Sequence, residues 1–144
     1  MSEAEPLSRL SPDELLSTTR TVRKRLDLTR PVAVTMLSIL QVIGDSDRPY
    51  EIVARLMDAM PPGSYLILSH ATHDILPEES ARARTMYRGA SSPLVTRSWE
   101  EIAALFAGFE LAEPGLVATT QWRPTEPLRI AGPGHMYAGV GRKP

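Results

Sequence analysis

The chain has 144 residues, 42% of them hydrophobic and 23% charged, with a net charge of −1 and a pI of about 6.3. This is the length of one domain with its own core, and the balance of charge supplies no global field toward nucleic acid or a membrane surface. There is no cysteine, which excludes a disulfide scaffold, a thiolate metal site and a cysteine nucleophile.

Residues 1–10 are mixed and acidic, unlike a signal peptide, and are expected to be flexible. Ser11-Pro12-Asp13-Glu14 is a capping box with proline at the first helical position. The helix it opens should run to about Leu26, with Leu15, Thr19, Val22 and Leu26 on one side. Arg20, Arg23, Lys24 and Arg25 fall in its last turns, where they complement the helix dipole. A nucleic-acid patch is the sharper alternative. No aromatic residues interleave with these charges, so no nucleic-acid partner is expected.

The longest apolar run, the 13 residues Pro31–Ile43, reads as the first strand and is too short to span a bilayer. No membrane association is expected, and a cytoplasmic location follows by default. Val53, Leu56, Met57 and Met60 then recur at helical spacing, until Pro61-Pro62-Gly63 ends the helix. Tyr65-Leu66-Ile67-Leu68 is a short apolar run, as expected of a strand covered on both faces. Strand, helix and strand make a right-handed parallel βαβ unit.

In open parallel sheets, ligands lie beyond the carboxyl ends of the strands. Gln41, Asp45 and Asp47 follow the first strand; Ser69 and His70 end the second. Each has a plainer alternative: Asp47 caps the next helix, Asp45 is solvated, and Ser69 and His70 serve packing. Asp45 and Asp47 lack a third clustered ligand for a metal. Ser69, His70 and Asp74 lack the glycines of a nucleophile elbow, and they stand too close in sequence for a triad. His70 and His73 lack a carboxylate partner at helical spacing for zinc.

Pro77–Arg88 is a third helix, broken by Gly89–Pro93. Ser98-Trp99-Glu100-Glu101 is another capping box, opening a short helix with Ile102, Leu105 and Phe106 inward and Gly108 at its end. Phe109–Leu111 begins a strand region, Leu116–Trp122 reads as a strand, 123–134 as a loop, Met136–Gly141 as the final strand and Arg142-Lys143-Pro144 as a tail. Residues 11–144 are thus a single α/β domain. About four strands are expected, the last one or two antiparallel, flanked by helices.

Several segments resemble the actinobacterial S-adenosyl methyltransferase family, a group of class I Rossmann-type enzymes. They are Leu26–Val34, Ile52–Leu56, Pro62–Ala71, Arg97-Ser98, Phe106 with Gly108, Glu113–Val117, Trp122–Pro124 and the ending Tyr137–Pro144. They run collinearly over most of residues 26–144. The resemblance implies a partial Rossmann-like methyltransferase sheet, equivalent to the carboxyl-terminal half of the full fold. Ala33–Ile43 would be its fourth strand, Tyr65–Ser69 its fifth and the last two its closing hairpin. Such enzymes place a glycine-rich loop after their first strand and an acid after their second, to hold the cofactor. This chain has neither, and is read as truncated. It also carries Gln41 where the family pattern has a histidine, and glutamine can hydrogen-bond but cannot act as a base.

By the same resemblance the cofactor is S-adenosylmethionine, with Leu40, Gln41 and Val42 as cofactor-binding candidates. Ser69, His70, Tyr87 and Arg97 are the substrate-binding candidates. The acceptor is an unknown small molecule, and neither a metal nor a catalytic residue is assigned. A truncated sheet would leave the edge Val32–Leu40 open, which is an aggregation hazard unless covered. The first helix, a second copy or a separate chain carrying the other half would cover it. The alternative function is a non-catalytic remnant or interaction module that pairs through this edge.

Overall fold

The computed structural model describes residues 27–90, 92–125 and 134–144. The expected N-terminal arm, the helix capped by Ser11 and most of the 123–134 loop lie outside the described residues. β1 spans Ala33–Leu37, α1 Pro49–Asp58 and β2 Tyr65–Ala71. α2 (Pro77–Met86), α3 (Trp99–Ala104), β3 (Glu110–Leu111), β4 (Val117–Ala118) and β5 (Met136–Arg142) follow.

β1 is shorter than its apolar run. Ser38 turns into the left-handed region at φ 58°, and Leu40–Val42 form a 3-10 turn instead of continuing the strand. The run is then divided: Leu40 and Ile43 enter the core, whereas Leu37, Ile39 and Val42 stay exposed. α1 starts at Pro49, where a missing N–H leaves no bond unmade. Asp47 is not its cap; that position is Arg48, which has no side-chain capping bond and pairs with Glu51 instead. Val53, Met57 and Met60 are buried as their spacing predicts. α3 has the predicted capping box, with Glu101 N–H donating to Ser98 Oγ (3.2 Å) and Ser98 N–H to the Glu101 carboxylate (2.7 Å). The expected strand over Leu116–Trp122 is a strand only at Val117–Ala118, before a 3-10 turn at Thr119–Gln121.

The strands form one sheet in the order β1-β2-β5-β3, with β4 also on β5. β1 and β2 are parallel, from Ala33 beside Tyr65 to Leu37 beside Ser69. All pairs with β5 are antiparallel. The last strand is therefore interior. Gly139 and Gly141 let it sit there, because a Cβ on Gly141 would come within 2.9 Å of Phe106 Cδ1 and Phe109 Cβ.

The core lies on one face. Val34, Met36, Leu66 and Leu68 point to it and meet Val53 and Met57 of α1 and Ile102 of α3. The alternate residues Ala33, Thr35, Leu37, Tyr65 and Ile67 point to the opposite face, from which the core cluster takes no residue. The carboxyl end is no loose tail. Lys143 N–H donates to Ser64 O (2.7 Å), and its Nζ caps α1 by donating to the carbonyls of Met57 (2.9 Å), Asp58 (3.3 Å) and Met60 (2.8 Å). Among the described residues no helix is long and apolar enough to cross a membrane.

Candidate functional site

Parallel pairing sets the carboxyl ends of β1 and β2 side by side, and the site is built from what leaves those ends. Ser38 N–H donates to both Ser69 O (3.2 Å) and Ser69 Oγ (3.1 Å), which holds the left-handed turn in place. The Ser38 hydroxyl lies 3.8 Å from Met136 Sδ. Gln41 joins three segments: its Oε1 accepts from Ala71 N–H (3.2 Å), and its backbone carbonyl accepts from Val95 N–H (2.7 Å).

Arg97 is the centre of this arrangement, although only 2% exposed. Its backbone N–H donates to Ala71 O (3.1 Å), so the segment before α3 runs beside the end of β2. Nη1 donates to Leu40 O (3.1 Å) and to His70 Nε2 (2.6 Å). Nη2 donates to Ile43 O (3.1 Å) and to the Asp45 carboxylate (2.6 Å). The Tyr50 ring lies 5.9 Å from the guanidinium carbon, within cation–π range. One buried cation thus closes the loop 40–45 over the end of β2.

His70 is fully buried, and its tautomer follows from its neighbours. A guanidinium has only donors, so Nε2 must accept and Nδ1 must carry the proton, which it donates to Ala71 O (2.8 Å). Burial pushes the imidazole below its usual 6.5, opposed by its bond to the Ala71 carbonyl and reinforced by the Arg97 charge. A neutral imidazole with both nitrogens engaged braces the loop. It is not placed to take a proton from a substrate. Nearby, Asp74 accepts from Trp99 N–H (2.6 Å), and His73 Nδ1 lies 3.2 Å from Thr96 Oγ1.

Of the predicted site residues, Leu40, Gln41, Val42, Ser69, His70 and Arg97 meet at the ends of β1 and β2. Tyr87 does not join them; it follows α2, is 52% exposed and shares no hydrogen bond or ring contact with them. Leu40 lies beneath the surface, while Val42, like Leu37 and Ile39, is exposed. Ser38, Tyr50 and Val95 escaped sequence reasoning, and Asp45, one of the strand-end candidates, is solvated as its plainer reading had it and also pairs with Arg97. No local motif marks an arginine that bonds residues more than 50 positions away.

The S-adenosyl methyltransferase family matches residues 8–144. The chain belongs to that family. Its fold is the Rossmann-like methyltransferase fold, and the cofactor that goes with the family is S-adenosylmethionine. A DUF574 family protein of Streptomyces avermitilis superposes with a TM-score of 0.84 at 36% identity, over 92% of this chain and 52% of its own. A Thermobifida fusca protein proposed to be a methyltransferase gives 0.78 at 34% identity, over 92% of this chain and 50% of its own. A SAM-dependent methyltransferase of Thermotoga maritima, at 16% identity and a TM-score of 0.50, shares the fold. No curated protein matches. The chain therefore spans about half the length of the first two solved family relatives.

Proposed function

We propose that this chain forms one half of an S-adenosylmethionine-dependent methyl-transfer site and acts on a small-molecule acceptor, with a further polypeptide supplying the other half. The observation that carries this reading is the character of its two parallel strand ends. β1 leaves through Ser38–Leu40 and β2 through Thr72–Asp74, and neither exit is the glycine-rich turn that lets a backbone approach a cofactor. The residues present fit one wall of a cofactor site and not its cradle. In this sense the chain is truncated relative to its family, and a cytoplasmic location goes with the reading.

Val42 is the cofactor-side residue that reaches the surface, with Leu40 beneath it and Gln41 fixing the turn. Ser69 is the substrate-side candidate at the strand ends, and Tyr87, exposed and apart from them, is a candidate by the family resemblance alone. His70 and Arg97 serve the substrate wall as positioning residues, since both act through the 40–45 loop. When bound, the cofactor supplies a methyl group on a sulfonium. The chain's task is to hold an acceptor in line and exclude water, which is mainly positioning.

Calorimetric titration with S-adenosylmethionine, with oligomeric state measured in the same buffer, tests the reading. The expected result is no saturable binding by the folded chain alone up to millimolar cofactor, and micromolar binding once the other half is present. Micromolar binding by the lone monomer would overturn the need for a second half. Absence of binding in the assembled state would overturn the methyl-transfer role. It would leave the second reading, an interaction module without catalysis, which the edge of β1, unpaired among the described residues, favours.

A further inference from the structure

We infer that His70 and Arg97 form a pH-operated latch: a proton taken up from solvent at His70 Nε2 displaces the Arg97 guanidinium from the Leu40 carbonyl and frees the 40–45 loop. The inference goes beyond the methyl-transfer reading and does not depend on it.

The latch has one shared acceptor and two competing donors. Leu40 O accepts from Arg97 Nη1 at 3.1 Å, and it also stands within hydrogen-bonding reach of the His70 imidazole. While His70 is neutral, Nε2 is an acceptor, and one arginine nitrogen holds both Leu40 O and Nε2 (2.6 Å). Once His70 is protonated, Nε2 carries a hydrogen and faces the hydrogens of Nη1 across that distance. Two cations with donor set against donor cannot keep this contact. Nδ1 offers no relief, because it already donates to Ala71 O (2.8 Å). The acceptor in reach of the new N–H is Leu40 O, which the guanidinium must then give up.

Which partner moves follows from how each is anchored. His70 lies in β2, between β1 and β5, with its ring tied to Ala71 O. Arg97 is a long side chain whose Nη2 already reaches toward solvent, at Asp45, which is 77% exposed. The guanidinium therefore swings toward Asp45, and Ile43 O (3.1 Å) loses its donor. The bonds of Gln41 with Val95 N–H and Ala71 N–H then hold the loop without that support.

Among the described residues, charged and titratable groups surround His70 from each element packed on it. Arg97, before α3, disfavours the imidazolium, and Glu101 in α3 favours it. Asp45 in the loop and Tyr50 in α1 act on Arg97, by the ion pair and by a ring 5.9 Å away. Tyr137 lies opposite on β5, its phenol held above its ordinary 10.0 by burial and by Asp74. Burial of His70 is the largest effect and pushes the imidazole below its usual 6.5. The latch is therefore shut at neutral pH and opens on the acid side of that value.

The test is an acid titration of the full chain without cofactor, from neutral pH to acid unfolding, following the His70 ring and the backbone amides by NMR. His70 should titrate below pH 6.5 while the chain is still folded. Across that step, exchange protection corrected for the intrinsic rate should fall at least tenfold at Ile43, Ala71 and Val95, and stay unchanged at Leu68 in β2 and Val140 in β5. His70→Gln offers Arg97 an amide oxygen and takes up no proton, so it should abolish the step. Asp45→Asn removes the carboxylate partner of Arg97 and should leave the step in place. Four results would overturn the inference: a His70 still neutral when the chain unfolds; a His70 that titrates with loop protection unchanged; protection lost at Leu68 and Val140 in the same step; or a step that survives His70→Gln or vanishes in Asp45→Asn. The first three are read on the parent chain, so they decide the matter even where His70→Gln fails to fold. A latch that opens in a chain unable to bind S-adenosylmethionine would stand while the methyl-transfer role fell.

Discussion

Arg97→Met removes the donor of four hydrogen bonds to side chains and carbonyls at once, and the structure sets the scale of the loss. Methionine fills a similar volume, so little cavity forms. The cost lies in the acceptors left behind: Leu40 O, Ile43 O and His70 Nε2. Each stranded buried acceptor costs about 1–3 kcal/mol. Ile43 O lies next to an exposed segment, and water can reach it once the guanidinium is gone, so the sum should fall near the lower end, at about 3–5 kcal/mol. The Asp45 carboxylate adds little, because its side chain is 77% exposed; Asp45→Asn should cost about 1 kcal/mol or less. Arg97→Lys should fall between them, since one ammonium cannot span acceptors set for a planar fork. Urea denaturation of the three variants, at constant slope, measures all of this against a total stability of about 5–15 kcal/mol. If Arg97→Met lies within about 1 kcal/mol of the parent, or if Asp45→Asn matches it, the claim that a buried carbonyl clamp holds the 40–45 loop is wrong.

Lys143→Met leaves three carbonyls at the end of α1 without their cation and should cost about 1–2 kcal/mol in thermal unfolding. Gly141→Ala drives a methyl against Phe106 and Phe109 and should cost about 1–3 kcal/mol, with the aromatic near-UV signal altered. His70 is depressed below its ordinary 6.5 in the folded state, so the unfolded chain binds the extra proton. Its contribution is fully present above pH 6.5 and is lost as pH falls below that toward the folded value, at up to about 1.4 kcal/mol per pH unit. Denaturant midpoints from pH 8 to 5 should show that fall, and His70→Gln should flatten it.

Much of the half-sheet is legible in the sequence because its signals are local. The Ser98–Glu101 capping box, the helical spacing of Val53, Met57 and Met60, and the break at Pro61–Gly63 each act within a few residues, and each is present. The limits of the reading are equally physical. An apolar run does not say where a strand ends; Ser38 ends β1 by turning left-handed, held by a serine 31 residues away. A tail rich in charge looks solvated, yet Lys143 reaches carbonyls more than 80 residues back. Parallel pairing follows from the βαβ unit, and it sets the carboxyl ends of β1 and β2 side by side as the sequence implies. Arg97 was found through resemblance alone, and its partners, Leu40 O and Ile43 O, are backbone groups that no sequence pattern displays.

The clamp answers a structural problem set by the topology. A strand exit in the middle of a parallel sheet is braced from both sides, but among the described residues β1 has a neighbour only in β2. Its 40–45 loop is braced instead from the segment before α3, through Val95 N–H, the Arg97 guanidinium and, by way of that guanidinium, His70. These bonds fix the Leu40–Val42 turn entirely from within this chain. The entropy of ordering that loop therefore falls on the folding of this chain, and the clamp must outweigh it there.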